Sequence, residues 1–566
     1  MSRKGLLTGE RERTAGATKA SVPAWHEPST KTRLEAHYGD RVVGCYVERP
    51  ESIDQLLTAA AERWPHAPAI SDEARTVSYA ALDEEVDAIA AGLQDAGVSR
   101  GDRVALLLVN SVEFLVVICA VARLGAIAVP INVREQAPEL RRILQHSGAG
   151  AIFYEADLSH KLPDRALSNG LARIAVRGDL PGSASYSQLL SSQRRTTRAS
   201  VHEEDTAIIL YTSGTTGQPK GAMLTHLGLV GAALTYVTVA GLREGDSAAV
   251  SAPMSHVTGI TSGLLPMLAV GGRIVSFREF KAAAYLRRIA AERVTFMVMV
   301  PAMYALCLLQ PELDQLDLTA WRVGGYGGAP MAGPLIVKLA ERLPGLQLIN
   351  TYGSTETTGP QAIGVPVDAL RKRDCVGVPV PGAEIIIMDD KGHAAPAGET
   401  GEIWIRGGGV CRGYWNDPGA TAAEFVGGFW KSGDVGRFDE EGFLQLLDRK
   451  KDVINRGGYK IYSSQVESVL LAIPGVVEAA VVAYPCPVLG ERVHAFVTVT
   501  DERIDAASLL EHSARQLADY KVPERLTIGL IPLPRNANGK ILKRDLAMRS
   551  DPSADVKLSD RRSAKG

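Results

Sequence analysis

GDRVALLLVNSVEFLVVICAVARLGAIAVPINVREQAPELRRILQHSGAGAIFY (101–154) is the stretch that decides the fold. Gly101-Asp102 is a turn, and VALLLV (104–109) is a continuous apolar run, the pattern of a strand buried on both faces of a parallel sheet. The spacing predicts a helix near 112–123, a strand near 127–132, a helix near 137–146 and a strand over AIFY (151–154). Upstream, Leu82, Val86, Ile89, Ala90 and Leu93 form the stripe of an amphipathic helix over 78–93, with Ser78 as its N-cap. Strands alternating with helices of these lengths are βαβ units, so the fold class is α/β with parallel sheets covered on both faces.

The apolar part of this stretch (104–131) is interrupted by Asn110, Glu113, Arg123 and Pro130. It cannot supply the roughly 20 uninterrupted apolar residues of a spanning helix, so no membrane span is expected. The 566 residues, 46% of them apolar, suffice for several domains around a large core. A net charge of −2, from 62 basic and 64 acidic side chains, argues against nucleic-acid binding through bulk charge. Cys45, Cys119, Cys307, Cys375, Cys411 and Cys486 are scattered singly, without a C-x-x-C pair or a Cys/His cluster. That disfavours structural zinc and favours a reducing, cytoplasmic setting. The N-terminus is basic, carries Glu10 and Glu12, and lacks a signal-peptide apolar core, so residues 1–45 are expected to be a flexible leader. Residues 549–566 are polar throughout and are expected to be a flexible tail.

The pattern changes after about residue 375. IIIM (385–388) and GEIWIRG (401–407) read as an antiparallel hairpin, and GRFDEEGFLQLL (436–447) as another turning at Asp439–Gly442. A short mixed stretch follows, with helices near 463–472 and 506–519 around the strands AAVVAY and HAFVTV. The charge run DRKKD (448–452) marks the boundary, giving a large domain over 46–449 and a small one over 450–548, with a hinge near 451.

IILYTSGTTGQPKGAMLTH (208–226) carries the chemistry. A β-rich run ends at Tyr211, and a loop of three glycines, four Ser/Thr hydroxyls and one lysine follows. Glycines let several backbone N–H groups face one point, the hydroxyls add donors, and Lys220 adds a mobile positive charge; a polyphosphate wants that combination. The loop lacks the G-x-x-x-x-G-K-[ST] spacing, which disfavours a standard P-loop ATPase.

YTSGTTGQPKG (211–221) resembles the signature loop of the AMP-forming acyl-CoA synthetase, luciferase and adenylation-domain superfamily. The resemblance runs from about residue 50 to about 546, with the motifs in the family's order. It implies a large N-terminal domain of βαβ-built sheets plus a β-rich subdomain, with a small mobile α+β C-terminal domain. It assigns Thr212, Ser213, Gly214, Thr215, Thr216, Gly217 and Lys220 to the ATP phosphates. In NTYGSTE (350–356) it implies that Tyr352 stacks on adenine beside Gly353, Thr355 bonds the α-phosphate, and Glu356 holds Mg²⁺ with Thr216. A hard carboxylate suits that ion. GGYGGAP (324–330) resembles the segment lining the adenine and acyl sites, through Gly327, Gly328, Ala329 and Pro330. Many relatives carry a small residue where Tyr326 stands, so its bulk is expected to narrow the acyl pocket and favour a small or medium acid.

In PMSH (253–256), His256 matches a histidine at the pocket mouth that contacts the carboxylate end of the substrate; a gating role is expected. No general base is required, because a carboxylate nucleophile is already ionised at neutral pH. The pocket walls are expected from Val257 to Gly263, including Gly259 and Ile260, together with Tyr304. None of these residues is charged, which favours a largely uncharged acyl group. WKSGD (430–434) implies Asp434 on the ribose hydroxyls, with Arg449 as a second contact and Lys451 as the hinge residue. In GGYK (457–460), Gly457, Gly458, Tyr459 and Lys460 belong to the CoA side, and Gly458 matches the glycine beside the pantetheine tunnel. In PRNANGK (534–540), Lys540 matches the lysine that reaches the acyl carboxylate and α-phosphate; Asn538 stands where relatives often have Thr.

The implied activity is that of an acid–CoA ligase, an enzyme with ATP and CoA as cosubstrates and Mg²⁺ as cofactor. A stand-alone enzyme loading an acyl carrier protein is the second reading. A luciferase-like oxidation of the adenylate and a nucleotide-binding regulator without turnover are weaker ones. The acid and the oligomeric state stay open, a homodimer included.

Overall fold

Strand Arg103–Leu107 lies inside a seven-stranded sheet, flanked in parallel by Ile127–Pro130 and Ala151–Glu155. The computed structural model describes residues 31–550 except 165–169, 192–195, 213–218, 365–370, 373, 502 and 537–538. Ala172–Val176 and Ala184–Ser185 extend the sheet on one side. Thr206–Thr212 pairs in parallel on the other, and the edge strand Lys220–Thr225 returns antiparallel to it. The residues on either side of the phosphate loop, Thr212 and Lys220, are therefore paired at the edge of this sheet.

A second sheet of nine strands carries the other motifs. Its parallel centre runs Gln347–Ser354, Val323–Gly327, Phe296–Met299, Ser247–Val250, Arg273–Ser276 and Pro68–Ser71. Antiparallel strands close both edges, Gly359–Gly364 and Val378–Pro379 at one and Thr76–Ser78 at the other. Between the sheets lie the helices Ile53–Arg63, Tyr79–Asp95, Val112–Arg123 and His226–Val239, filling the largest apolar core.

Ser78 caps the second of these helices as the sequence predicts, accepting from Ala81 N at 3.3 Å. In Val112–Arg123 every residue except Glu113 is buried. The buried Arg123 is satisfied by Asp54 at 2.8 Å, Asp87 at 2.6 Å and Asp83. An unpaired guanidinium there would be prohibitive, so three carboxylates converge on it.

Side chains on the nine-stranded sheet alternate between two cores. Phe296, Val298 and Val323 face the large core; Met297, Met299 and Tyr326 face a second core under the helices Ala282–Ala291, Pro301–Leu308 and Gly333–Arg342. A third sheet contains the hairpin Glu384–Met388 with Gly401–Arg406, and the pair Phe429–Phe438 with Leu444–Arg449, both antiparallel as predicted. The C-terminal sheet is built on Val476–Cys486 and Gly490–Val499 and packs the helices Ser463–Leu471 and Ala506–Gln516. The mixed α/β fold, with a large N-terminal and a smaller C-terminal part, is the one read from the sequence.

One expectation needs correction. Residues 32–45 are not leader: Thr32–His37 and Arg41–Tyr46 form an antiparallel hairpin. Its turn places Tyr38 at φ 58° and Gly39 at φ 75°, the two left-handed positions of a type I′ turn. Val43 and Cys45 point inward against Leu227, and Arg49 joins Glu35 to Glu203 at 2.6 and 2.8 Å. All six cysteines are free thiols. Among the described residues no helix is long and apolar enough to cross a membrane.

Candidate active site

Four segments distant in sequence meet beside the phosphate-loop hairpin. Glu356 ends the NTYGSTE segment in a short 3₁₀ turn after Gln347–Ser354, and its carboxylate is buried. Ser354 Oγ donates to Oε2, Thr212 Oγ1 lies 3.3 Å from Oε1, and the Tyr414 hydroxyl lies 3.2 Å from the same oxygen. The backbone N–H of Cys411 donates to the Glu356 carbonyl at 2.8 Å and locks the turn. Carboxylate and hydroxyl oxygens are the hard donors Mg²⁺ takes, so this set fits the ion. Gly353 is required here, because a Cβ would meet the Gly359 carbonyl oxygen at 2.1 Å.

Lys220 opens the returning strand. Its ammonium is ion-paired with Glu424 and lies 4.9 Å from the centroid of the Tyr414 ring. Tyr414 donates its hydroxyl proton to Glu424 at 2.5 Å. Burial, with Glu356 and Glu424 adjacent, raises the phenol so far that it remains a donor. Ser213, Gly214, Thr215, Thr216 and Gly217, with the expected metal ligand Thr216, lie outside the described residues, as does Asn538.

Tyr352 and Asp434 come together 82 positions apart in sequence: the phenol donates to Asp434 Oδ2 at 2.8 Å, and Arg449 Nε reaches Oδ1 at 2.7 Å. Burial raises the Asp434 carboxyl, while Arg449, Tyr352 and Lys540 pull it back. Tyr352 is buried and its phenol lies well above the ordinary range, again by desolvation. An aromatic ring, an acid and a guanidinium in one place suit a nucleoside.

Lys540 stands in the field of this group. A tight turn holds it, in which its N–H donates to Asn536 Oδ1 at 2.9 Å and Gly539 takes φ 81°. The side chain is exposed, yet the surrounding protein partly desolvates it, and Arg449 and Lys451 repel it; together they lower the ammonium to about 8 against the pull of Asp434 and Asp452. Thr355 is buried next to Glu356. Gly328, at φ 74°, is exposed with Ala329 and Pro330 where the strand Val323–Gly327 ends. Gly327 lies tight against Thr351, whose carbonyl would be 2.6 Å from a Cβ.

His256 is half-buried, and desolvation lowers its imidazole. Its Nδ1 accepts from Thr258 N at 3.3 Å, leaving Nε2 to carry the proton of the neutral ring. A π-helical turn, Gly259–Leu264, follows. Gly259 allows it, since a Cβ would meet the Pro253 carbonyl oxygen at 2.3 Å. Asn110, from the connection after Arg103–Leu107, clamps the segment before His256: it donates to the Ala252 carbonyl at 2.9 Å and accepts from Met254 N at 2.7 Å.

The structure divides the expected acyl pocket. Val257 and Ile260 belong to the large core, whereas Tyr304 and Tyr326 lie in the second core across the nine-stranded sheet. Tyr304 is fully buried, donates to the Gly325 carbonyl at 2.8 Å and stacks on Trp321. Strand alternation turns Tyr326 into the second core as well, on the opposite face of the sheet from Val257 and Ile260, so its bulk gives no reason to expect a small or medium acid.

Gly457 and Gly458 take φ 59° and 90°, and a Cβ on Gly458 would meet nothing within 4 Å. Tyr459 is exposed and stacks on Tyr520, and Lys460 pairs with Asp390 at 3.1 Å. Lys451 follows Asp448, whose carboxylate accepts from Ser463 Oγ at 3.1 Å and from Ser463 N, capping the helix Ser463–Leu471. Tyr414, Glu424 and Asn110 carry no sequence motif that singles them out, and Asp448 stands out only as the start of the DRKKD run.

A buried carboxylate ringed by hydroxyls at Glu356 and the Tyr352–Asp434–Arg449 group are an arrangement suited to a metal-bound nucleotide. The AMP-binding enzyme family profile matches residues 57–415, and the AMP-binding enzyme C-terminal domain matches 465–540; the chain belongs to this family. It is 35% identical to a feruloyl-CoA synthase from Amycolatopsis sp over 86% of this chain and 96% of that one. A long-chain-fatty-acid–CoA ligase from Mycobacterium tuberculosis is 34% identical over 85% of this chain and 94% of its own. Among solved structures, o-succinylbenzoate CoA synthetase from Bacillus subtilis, in complex with ATP and magnesium ion, superposes with a TM-score of 0.77 at 29% identity, covering 87% of this chain and 98% of that one. These relatives are acid–CoA ligases, the AMP-forming class to which the sequence pointed.

Proposed function

We propose that the protein is an AMP-forming ligase joining a largely uncharged carboxylic acid to CoA. The observation that carries this reading is the buried group in which Tyr352 and Arg449 both bond the Asp434 carboxylate. The acid's carboxylate attacks the α-phosphorus of ATP, and pyrophosphate leaves. Charge accumulates on phosphoryl oxygens, so the chain's task is positioning and cationic stabilisation. Lys540 supplies the mobile cation, Lys220 holds the departing phosphates, Thr355 the α-phosphate, and Asp434 with Arg449 the ribose. When bound, Mg²⁺ on Glu356 draws charge off the phosphate oxygens.

In the second step the CoA thiol attacks the acyl carbonyl of the adenylate and AMP leaves. Lys540 occupies space this step needs, so the C-terminal domain swings about Lys451 and brings Gly457 and Gly458 to the thiol's path. His256, as a neutral imidazole, gates the acid's entry. The walls Val257–Gly263 are uncharged, which supports an uncharged acyl group. A reducing, cytoplasmic setting belongs to the same reading, as the six free thiols fit it.

The test is product analysis by mass spectrometry with ATP, Mg²⁺ and CoA across aromatic, branched and straight-chain acids. Acyl-CoA and AMP in equal amounts support the reading. Acyl-adenylate that passes to a phosphopantetheinylated carrier protein but not to CoA would replace it with the carrier-loading one.

A further inference from the structure

The contact between Lys220 and Glu424 spans 204 positions in sequence and belongs to none of the motifs. Both side chains are largely covered, 12% and 29% exposed, so solvent screens their attraction poorly. The carboxylate is itself anchored. Glu424 closes the helix Pro418–Glu424, whose first turn is capped by Asp417, accepting from Ala420 N at 2.9 Å. Thr421 Oγ1 accepts from Tyr414 N at 2.9 Å, and the Tyr414 hydroxyl donates to Glu424 at 2.5 Å. Glu424 is thus a fixed anion aimed at the loop lysine. Lys220 also borders a cleft lined by Tyr211, Pro219, His146, Glu139, Arg142 and Asp417, which gives the long side chain room to turn away; of the acids around it among the described residues, Glu424 is the one already bonded to the ammonium.

We propose that Glu424 is a competing anion for Lys220: it holds the ammonium before ATP enters, yields it to the polyphosphate, and takes it back as pyrophosphate leaves. The proposal rests on the adenylate-forming reading of this site. Departing pyrophosphate must break a charge-assisted bond to Lys220 and would leave a poorly solvated ammonium without a counter-ion. Glu424 supplies that counter-ion at bonding distance, so release is faster and anion affinity lower than with a neutral side chain. Glu424 therefore acts through Lys220 and touches neither the α-phosphorus nor the acid.

The experiment is calorimetric binding of inorganic pyrophosphate with excess Mg²⁺ to the full-length enzyme. Glu424→Gln keeps an acceptor for Tyr414 and removes the charge, so the affinity tightens about tenfold, the scale of a partly buried charge pair. Glu424→Asp, which keeps the charge and guards against a folding defect, stays within about threefold of the parent. In a Lys220→Ala background the Glu424→Gln change loses its effect, because the two residues act as one unit. Unchanged or weaker pyrophosphate affinity in Glu424→Gln overturns the proposal. So does an equal tightening in the Lys220→Ala background, which would make Glu424 a general field charge. Pyrophosphate binding needs no acid; this affinity pattern together with no adenylate from any acid would reject the proposed function and leave the role of Glu424 standing.

Discussion

Lys540 offers a prediction with a sign and a size. Partial desolvation and the nearby Arg449 and Lys451 lower its ammonium from 10.5 to about 8. A lysine with a depressed pKa is fully charged below that value and loses its charge as pH rises through it. If the ammonium stabilises the charge that develops at the α-phosphorus, kcat/KM for adenylation holds level up to about pH 8. It then falls toward tenfold per pH unit, since this parameter reports groups of the free enzyme. Lys540→Ala should lower adenylation by roughly 10²–10³, the loss of one well-placed electrostatic donor, or about 3–4 kcal/mol of transition-state stabilisation. The residual rate should lose the alkaline limb. Isotope exchange between pyrophosphate and ATP measures this half-reaction alone. Thioester formation from supplied acyl-adenylate and CoA, measured separately, should be nearly spared. An alkaline limb that persists in Lys540→Ala, or an equal loss in both half-reactions, refutes the assignment.

Gly458→Leu should block thioester formation while adenylation stays within about threefold, because φ 90° disfavours a side chain, the proposed thiol path runs past this glycine, and Lys540 is untouched; stopped assays of each half-reaction decide. Asp434→Asn keeps the shape but removes the charge between Tyr352 and Arg449, so KM for ATP should rise by about 10–100-fold with little change in KM for the acid. Arg123→Met removes the buried guanidinium that bonds Asp54, Asp83 and Asp87 and leaves Arg198, at 3.8 and 3.5 Å, as the remaining cation near the first two; it should cost about 3 kcal/mol of stability, read from urea unfolding.

Local signals decided how much was legible in the sequence. The Ser78 cap, the helix near 112–123 and the turn at Asp439–Gly442 rest on short-range chemistry, and the structure has each of them. The hairpin at 32–46 was legible too, in the Tyr38-Gly39 turn and the inward Val43 and Cys45, but the charged, signal-free residues before it drew the reading toward a leader. Tyr326 misled for a different reason. A motif match fixes a position along a strand, while the face a side chain takes depends on strand alternation, which turns Tyr326 into the helix-covered core. Glu424 and Tyr414 were not legible: the fold alone brings them to Lys220 and Glu356, and no spacing rule reaches across 204 positions.

The most direct test of the central claim is rapid-quench measurement of pyrophosphate release with a turned-over acid, with and without CoA. A two-step ligase releases about one equivalent per active site without CoA and then stalls, while CoA restores continuous release matched by AMP and acyl-CoA. Continuous release without CoA, or a stall that CoA does not relieve, would contradict it.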